Sequence, residues 1–401
     1  MPADSTTVTS SSAAPPASGL GAPLRAVADA SAVGAVPDAS APEGGAVATG
    51  APRMIHGGPR HLHRAAAIGP QTAAKVAWRV KVGGAVAAQV TTSPDERTLY
   101  VATLSGSIAA IAREDGSTRW SVSLGERVYS TPLVHEDGTL YVGSDAKKLF
   151  ALSPEGKTLW KLEVEGEADS GAVFGRDGTI VFAAGAAVHA VRRGGDLAWR
   201  FATKGKVFTS PAVTDEGLVV FGSQDNRVYA LAANGALAWS TVLGADVDGS
   251  PVIGDDGAIY VGTDKGEIVR LDVHGKVVWR AAVGGFVRGA LSIARDGDVL
   301  AGTYGPVPRV VRVAPDGVIR GAFAIKGTGA KEFGIHGGPL EDAAGTLYFG
   351  AQDDAARAIG ADGAVRWRFE TAADVDAPLT MLSDGSLVVP SEDGTIAMLL
   401  P

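Results

Sequence analysis

Cysteine is missing altogether from this 401-residue chain, so disulfides, thiolate metal sites and a lipid-bearing cysteine are excluded for the sequence as it stands. The redox compartment is left open by that absence. No apolar run approaches the ~20 residues that a membrane-spanning helix needs. Lys and Arg are scattered singly under a formal charge of −8, so the basic stripe of a nucleic-acid binder is absent and neither DNA nor RNA is expected as a partner. The first residues, MPADSTTVTSSSAAPPASGLG, carry an acid at position 4 and no apolar core, and do not read as a secretory signal. Either a signal has been removed or the start is misplaced, or the chain is cytoplasmic. Aromatics are scarce at 6%, while the 54 glycines suit many short strands joined by tight turns.

Residues 1–73 are rich in Ala, Pro, Ser and Gly and lack hydrophobic periodicity, which predicts a disordered leader or linker ahead of an ordered body at 74–401. Within it, His56, His61 and His63 lie close together without a neighbouring carboxylate or thiol. They are expected to form a solvated polar patch, with no metal bound. Deleting residues 1–70 is therefore expected to leave stability almost untouched.

The ordered body repeats one phrase. Residues 215–239, DEGLVVFGSQDNRVYALAANGALAW, align without a gap with 255–279, DDGAIYVGTDKGEIVRLDVHGKVVW. Six of the seven tryptophans stand at 78, 120, 160, 199, 239 and 279, and the seventh at 367. The long interval before Trp367 hides one unit, because RVAPDGVIRG at 312–321 puts Gly321 where the Trp belongs. Each unit holds four alternating runs separated by Asp-Gly turns. Four short antiparallel strands recurring at about 40 residues predict one blade of a β-propeller, since such a sheet buries its faces only by stacking on neighbours. After Trp367 only three runs remain, and KVAWRVKV at 75–82 is an orphan outer strand. Pairing the two predicts an all-β, eight-bladed ring closed by an N-terminal strand, monomeric, with both open edges removed.

The phrases ALSPEGKTLW, ALAANGALAW and AIGADGAVRW resemble the tryptophan-docking motif of the quinoprotein-like, or pyrroloquinoline-quinone-like, propeller repeats, over residues 75–401. That resemblance implies an eight-bladed ring in which the tryptophans glue blades together. Enzymes of the family carry a Thr-Gly form of the motif, a vicinal cysteine pair and calcium ligands on long insertions, and this chain has none of these. The resemblance therefore implies the non-enzymatic branch, which serves assembly of the bacterial outer-membrane β-barrels: a binding or scaffolding propeller with a protein or peptide partner, no catalytic residue and no cofactor. A periplasmic or cell-envelope location would follow. The alternative it implies is a quinone-dependent dehydrogenase using pyrroloquinoline quinone and calcium, or a small-ligand sensor at the channel mouth.

One register position collects the chemistry. Nine residues after each Trp stand Ala87, Tyr129, Asp169, Phe208, Asp248, Arg288 and Asp376, and aligning Tyr348 with Tyr260 adds His336. Flanking positions are small or Val. These side chains are expected to ring one mouth of the channel, with the Arg288 fork suited to a carboxylate or phosphate. The Asp-Gly turns lack the spacing of a calcium loop, and Ser210 and Ser250 lack a nucleophile elbow. Finally, six extra residues precede His336 in IKGTGAKEFGI (325–335), and Lys331, Glu332 and an exposed Phe333 are expected to form a partner-binding loop.

Overall fold

In the computed structural model, residues 53–73 and 75–401 are described, together with a two-residue strand, Val27–Ala28. Each repeat folds as a four-stranded antiparallel sheet, and eight such blades are present among the described residues, the second extended by Val27–Ala28 as a fifth strand beside Thr158–Glu163. Blade 5 is typical: its strands are Val252–Ile253, Ile259–Gly262, Glu267–Leu271 and Val277–Ala282, from the channel outward. The two middle strands are buried along their length, whereas the outer strand alternates between half-buried and exposed. Period-2 alternation is thus confined to the strand with one wet face, and the sandwiched strands read as continuous apolar runs.

Ring closure follows the expected pairing. Lys75–Lys81 lies antiparallel to Thr395–Leu400 as the outer strand of blade 8, with Lys75 opposite Leu400 and Lys81 opposite Thr395. The core lies between blades: Leu133, Tyr141, Leu149 and Trp160 of blade 2 pack with Ile180 and Phe182 of blade 3, and similar clusters recur around the ring.

Each tryptophan is a bolt between neighbours. The indole N–H of Trp239 donates to the Val273 carbonyl of blade 5 at 3.0 Å, and the other six tryptophans make the same kind of bond at 2.6–2.9 Å. The ring lies flat on a turn glycine: a Cβ on Gly275, whose φ is +80°, would sit 2.4 Å from the Trp239 ring. Trp367 differs, since blade 8 begins its outer strand with a new stretch of chain, and here the carbonyl comes from Pro70. A second glycine rule explains the recurring Gly-Ser/Thr. A Cβ on Gly262 would lie 2.3 Å from Val287 of the loop that leads into blade 6, so that loop can cross only above a glycine.

The expected disordered leader is corrected over residues 53–73; most of the remaining stretch, 1–52, lies outside the described residues. Residues 53–69 cross one mouth of the channel. Their carbonyls take the N–H groups of the inner strands: Val134 donates to Arg53, Val213 to Pro59, Ile253 to Arg60, Ile293 to Leu62 and Glu341 to His63. Composition misled here because this segment is ordered by backbone pairing, which leaves no hydrophobic period. His56, His61 and His63 are consequently not solvated. They are 1%, 0% and 3% exposed.

Candidate functional site

The face opposite that segment carries the ring. At every blade the residue before the ring position is buried (Val86, Val128, Ala168, Val207, Val247, Val287, Ile335, Val375), and the ring side chain is turned out beside it; in five blades the crossing is over a glycine, as described above, and in the others over Ala102, Ala183 or Pro390. All eight expected residues, from Ala87 through His336 to Asp376, occupy this equivalent place at the entrance of an inner strand.

A second ring stands beside the first and was not foreseen. The residue following each Gly-Ser/Thr pair, at the turn between the two middle strands, reaches the ring residue 24 positions later. Gln224 donates to Asp248 at 3.3 Å, Gln352 to Asp376 at 3.0 Å, and Asp264 receives Arg288. In the blade with the insertion, Tyr304 and His336 play the same parts, joined at 2.7 Å. The signal was available in the sequence as a second variable position, after Gly-Ser/Thr at Asp145, Gln224, Asp264 and Tyr304, and after the variants Gly350-Ala351 and Pro390-Ser391 at Gln352 and Glu392.

Arg288 is fully engaged. Its Nε and Nη2 face both Asp264 oxygens at 2.9–3.1 Å and its Nη1 meets Glu332. The fork expected to receive an anion is thus closed by two carboxylates, which hold its pKa up. The insertion is also corrected. Phe333 is half-buried against Val310, Ile325, Ile335 and Phe349, and its carbonyl accepts the Gly305 N–H at 2.9 Å. It seals the seam between blades 6 and 7 and does not present an apolar anchor, while Glu332 serves Arg288 and Lys331 alone of the three stands free at the surface.

Carboxylates dominate what remains. Burial, then the adjacent Asp145 carboxyl, pushes Asp169 up to about 8. Burial raises Asp248 to about 6 despite the Gln224 hydrogen bond, and burial together with Asp376 raises Asp374 to about 6. Beside these acids stand two exposed aromatics. Tyr129 and Phe208 are each 39% exposed, with Arg127 and Lys206 lying over their rings at 5.7 and 5.6 Å. The blade between them supplies Asp169. Such a mouth can hold cationic and aromatic groups by charge, ring faces and hydrogen bonds. Among the described residues, no group of three or more acids or histidines is placed to hold a metal ion, and no helix is long and apolar enough to cross a membrane.

Comparison with known proteins agrees with this architecture. The family model described as outer membrane protein assembly factor BamB, of the PQQ-like repeat class, matches residues 64–155, 145–244 and 224–319. The outer membrane protein assembly factor BamB of Salmonella typhimurium is 31% identical over 83 residues, which is 18% of this chain and about a fifth (21%) of the length of that relative. Among solved structures, BamB from Moraxella catarrhalis superposes with a TM-score of 0.69 at 17% identity, covering 82% of this chain and 100% of its own. A europium-containing methanol dehydrogenase (TM-score 0.69, 11% identity, 85% of this chain and 89% of that one) shares the fold. So does the quinohemoprotein alcohol dehydrogenase of Comamonas testosteroni (0.73, 14%, 87% and 80%).

Proposed function

Because the chain belongs to the BamB family of PQQ-like repeat propellers, we propose that it is a non-catalytic scaffold that holds a protein partner on the ring mouth, within a cell-envelope assembly. The observation that carries this reading is the pairing of exposed Tyr129 and Phe208 around Asp169, on a rigid rim whose neighbouring positions are buried. Aromatic side chains held at an exposed, pre-organised edge are what protein interfaces use as anchors. The partner's contact segment is basic, since Asp248, Asp374 and Asp376 have no cation committed to them, whereas Arg288 has two carboxylates; Asp169, pushed up to about 8, offers a protonated carboxyl near neutral pH. Purified chain carrying Tyr129→Ser and Phe208→Ser, compared with the wild type for co-purification from a native envelope extract, tests it. Loss of the same band with an unchanged melting temperature supports the site, and equal recovery removes it.

The dehydrogenase-like fold neighbours favour one alternative, a quinone enzyme at the same mouth. The donor set does not fit it. An anionic quinone such as pyrroloquinoline quinone would meet unpaired carboxylates and find the ring's one guanidinium already taken. Quinone and calcium added to the purified chain, followed by a dye-linked alcohol oxidation assay, decide the matter: turnover would establish the enzyme.

A further inference from the structure

The segment that crosses the opposite mouth is held in an unusual way. His56, His61 and His63 all adopt left-handed backbone conformations, with φ of 51°, 60° and 52°. For residues with a Cβ this conformation is disfavoured, so the segment stays in place only because its surroundings over-determine it. The three imidazoles form one buried cluster: His56 stacks on His63 at 4.2 Å between ring centroids and meets His61 edge-on at 6.0 Å.

The contacts of His56 and His61 suit neutral rings, whereas both nitrogens of His63 lie near backbone carbonyls, so that burial alone opposes a proton there. His61 Nδ1 bonds the Pro251 carbonyl at 2.9 Å and its Nε2 is buried without a partner. His63 Nδ1 bonds the Gly338 carbonyl at 2.9 Å, and its Nε2 faces both the Leu379 carbonyl and the amide of Gln89. Neither nitrogen of His56 has a well-formed hydrogen bond. No carboxylate is left over to receive an imidazolium. Asp215 and Asp255, from the turns of blades 4 and 5, pair with Arg60 and Arg64 of the segment itself. Glu341 of blade 7 meets Arg295 of blade 6, and Asp342 accepts from Gln71, Tyr348 and the Gly69 N–H. The charges around the cluster are therefore already matched, Arg60 and Arg64 with Asp215 and Asp255 and Arg295 with Glu341, and none is free to neutralise an imidazolium. Toward blade 8 the packing is loose, with a cavity of about 360 Å³ lined by Leu340, Leu379, Met381 and Leu382 beside the histidines.

We propose that residues 53–69 are an acid-releasable stopper, which closes the second mouth of the channel while His56, His61 and His63 are neutral and leaves it when they take up protons. Two imidazolium rings stacked face to face, without a counter-ion, cannot stay buried. Release uncovers the five inner-strand N–H groups now bonded to the segment and clears that mouth.

The sign of the linkage follows from burial. Burial lowers His61 and His63 from 6.5 to about 4, and burial with the neighbouring imidazoles lowers His56 well below its ordinary value. A base depressed in the seated state stabilises that state above pH 6.5 and loses the contribution as pH falls toward 4. Between pH 7 and pH 5 each such imidazole shifts the balance toward release by about 20-fold, so His61 and His63 together give roughly 500-fold.

Amide hydrogen exchange on the full chain tests this. After correction for intrinsic rates, the amides of Val213, Ile253, Ile293 and Glu341 should lose at least about 100-fold of their protection between pH 7 and pH 5. Amides inside the blades, such as Val220 and Ala183, report global opening and the separate titration of buried His189, and should change far less. In a His61→Asn/His63→Asn variant the side-chain amides keep the Nδ1 contacts, Asn tolerates the left-handed backbone, and the four amides should hold their protection at pH 5. Equal protection of the wild type at both pH values, or an acid loss as large in the double variant, overturns the proposal. If the double variant does not seat the segment at pH 7, His61→Asn alone takes its place. Removal of about 20-fold of the acid response then supports the stopper, and an undiminished response overturns it.

Discussion

Blade 6 lacks its bolt, and Gly321→Trp should supply it. Gly321 lies opposite Arg312, which is the place Trp279 takes opposite Arg270 in blade 5, so an arginine across the strand is compatible with an indole. The receiving turn is already in place. Gly363 has a φ of +77° and open space where the other turn glycines carry a tryptophan, and Gly321 itself has nothing within 4 Å of a built Cβ. The acceptor would be the Ala361 carbonyl, which stands two residues before its turn glycine as Pro315 does before Gly317. Only the half-exposed Arg366 side chain, folded over Gly360, must swing away. Burying ~100–150 Å² of indole at about 25 cal/mol/Å² stabilises by roughly 3 kcal/mol. The new hydrogen bond and the relief of a strand glycine add ~1–2 kcal/mol, and ordering the side chain costs about 1 kcal/mol. A net gain of about 3–4 kcal/mol follows. Urea unfolding followed by tryptophan fluorescence measures it, with Trp279→Gly as the reciprocal loss. An unchanged or lower midpoint for Gly321→Trp, with an indole emission typical of exposed rings, would refute the reasoning that the socket is preformed.

Two further outcomes are expected. Deleting residues 1–69 should cost about 3–5 kcal/mol, because five inner-strand N–H groups lose their partners, in contrast to the neutral deletion expected from composition; deleting 1–84 also removes the closing strand, and should give oligomers by size-exclusion chromatography. Asp169→Asn should raise the melting temperature more at pH 8.5 than at pH 5. A carboxyl raised from 3.8 to about 8 by burial binds a proton that the unfolded chain releases, so it withdraws stability as pH climbs through that window. An equal gain at both pH values would show that Asp169 does not carry the shift.

Repeat number, blade composition and the closing pair were legible because tryptophan spacing and strand alternation report the backbone directly. The first ring was legible for the same reason, since a single register position varied between constant neighbours. Its pairings were not. Arg288 looked free until Asp264, 24 residues upstream, and Glu332 on the insertion arrived from two other turns. The inward turn of Phe333 was not legible because loop residues carry no periodicity, and its apolar neighbours Val310, Ile325, Ile335 and Phe349 come from separate elements. The histidine segment was hidden most completely: its order rests on carbonyls, which every sequence has, meeting N–H groups more than 70 residues away.

The closing strand fixes the order in which the molecule can be made. Lys75 waits for Leu400, so the last sheet forms only after more than 300 further residues have been made. Until then, the emerging blades present an uncovered edge at the front, where Thr380–Met381, Leu387–Pro390 and Thr395–Leu400 will later complete blade 8, and another at the growing end. Contacts spanning so much of a chain form slowly, and exposed strand edges recruit other chains. The native ring thus closes late, and the chain is at its most vulnerable to misassembly in the interval just before Thr395–Leu400 reaches Lys75–Lys81.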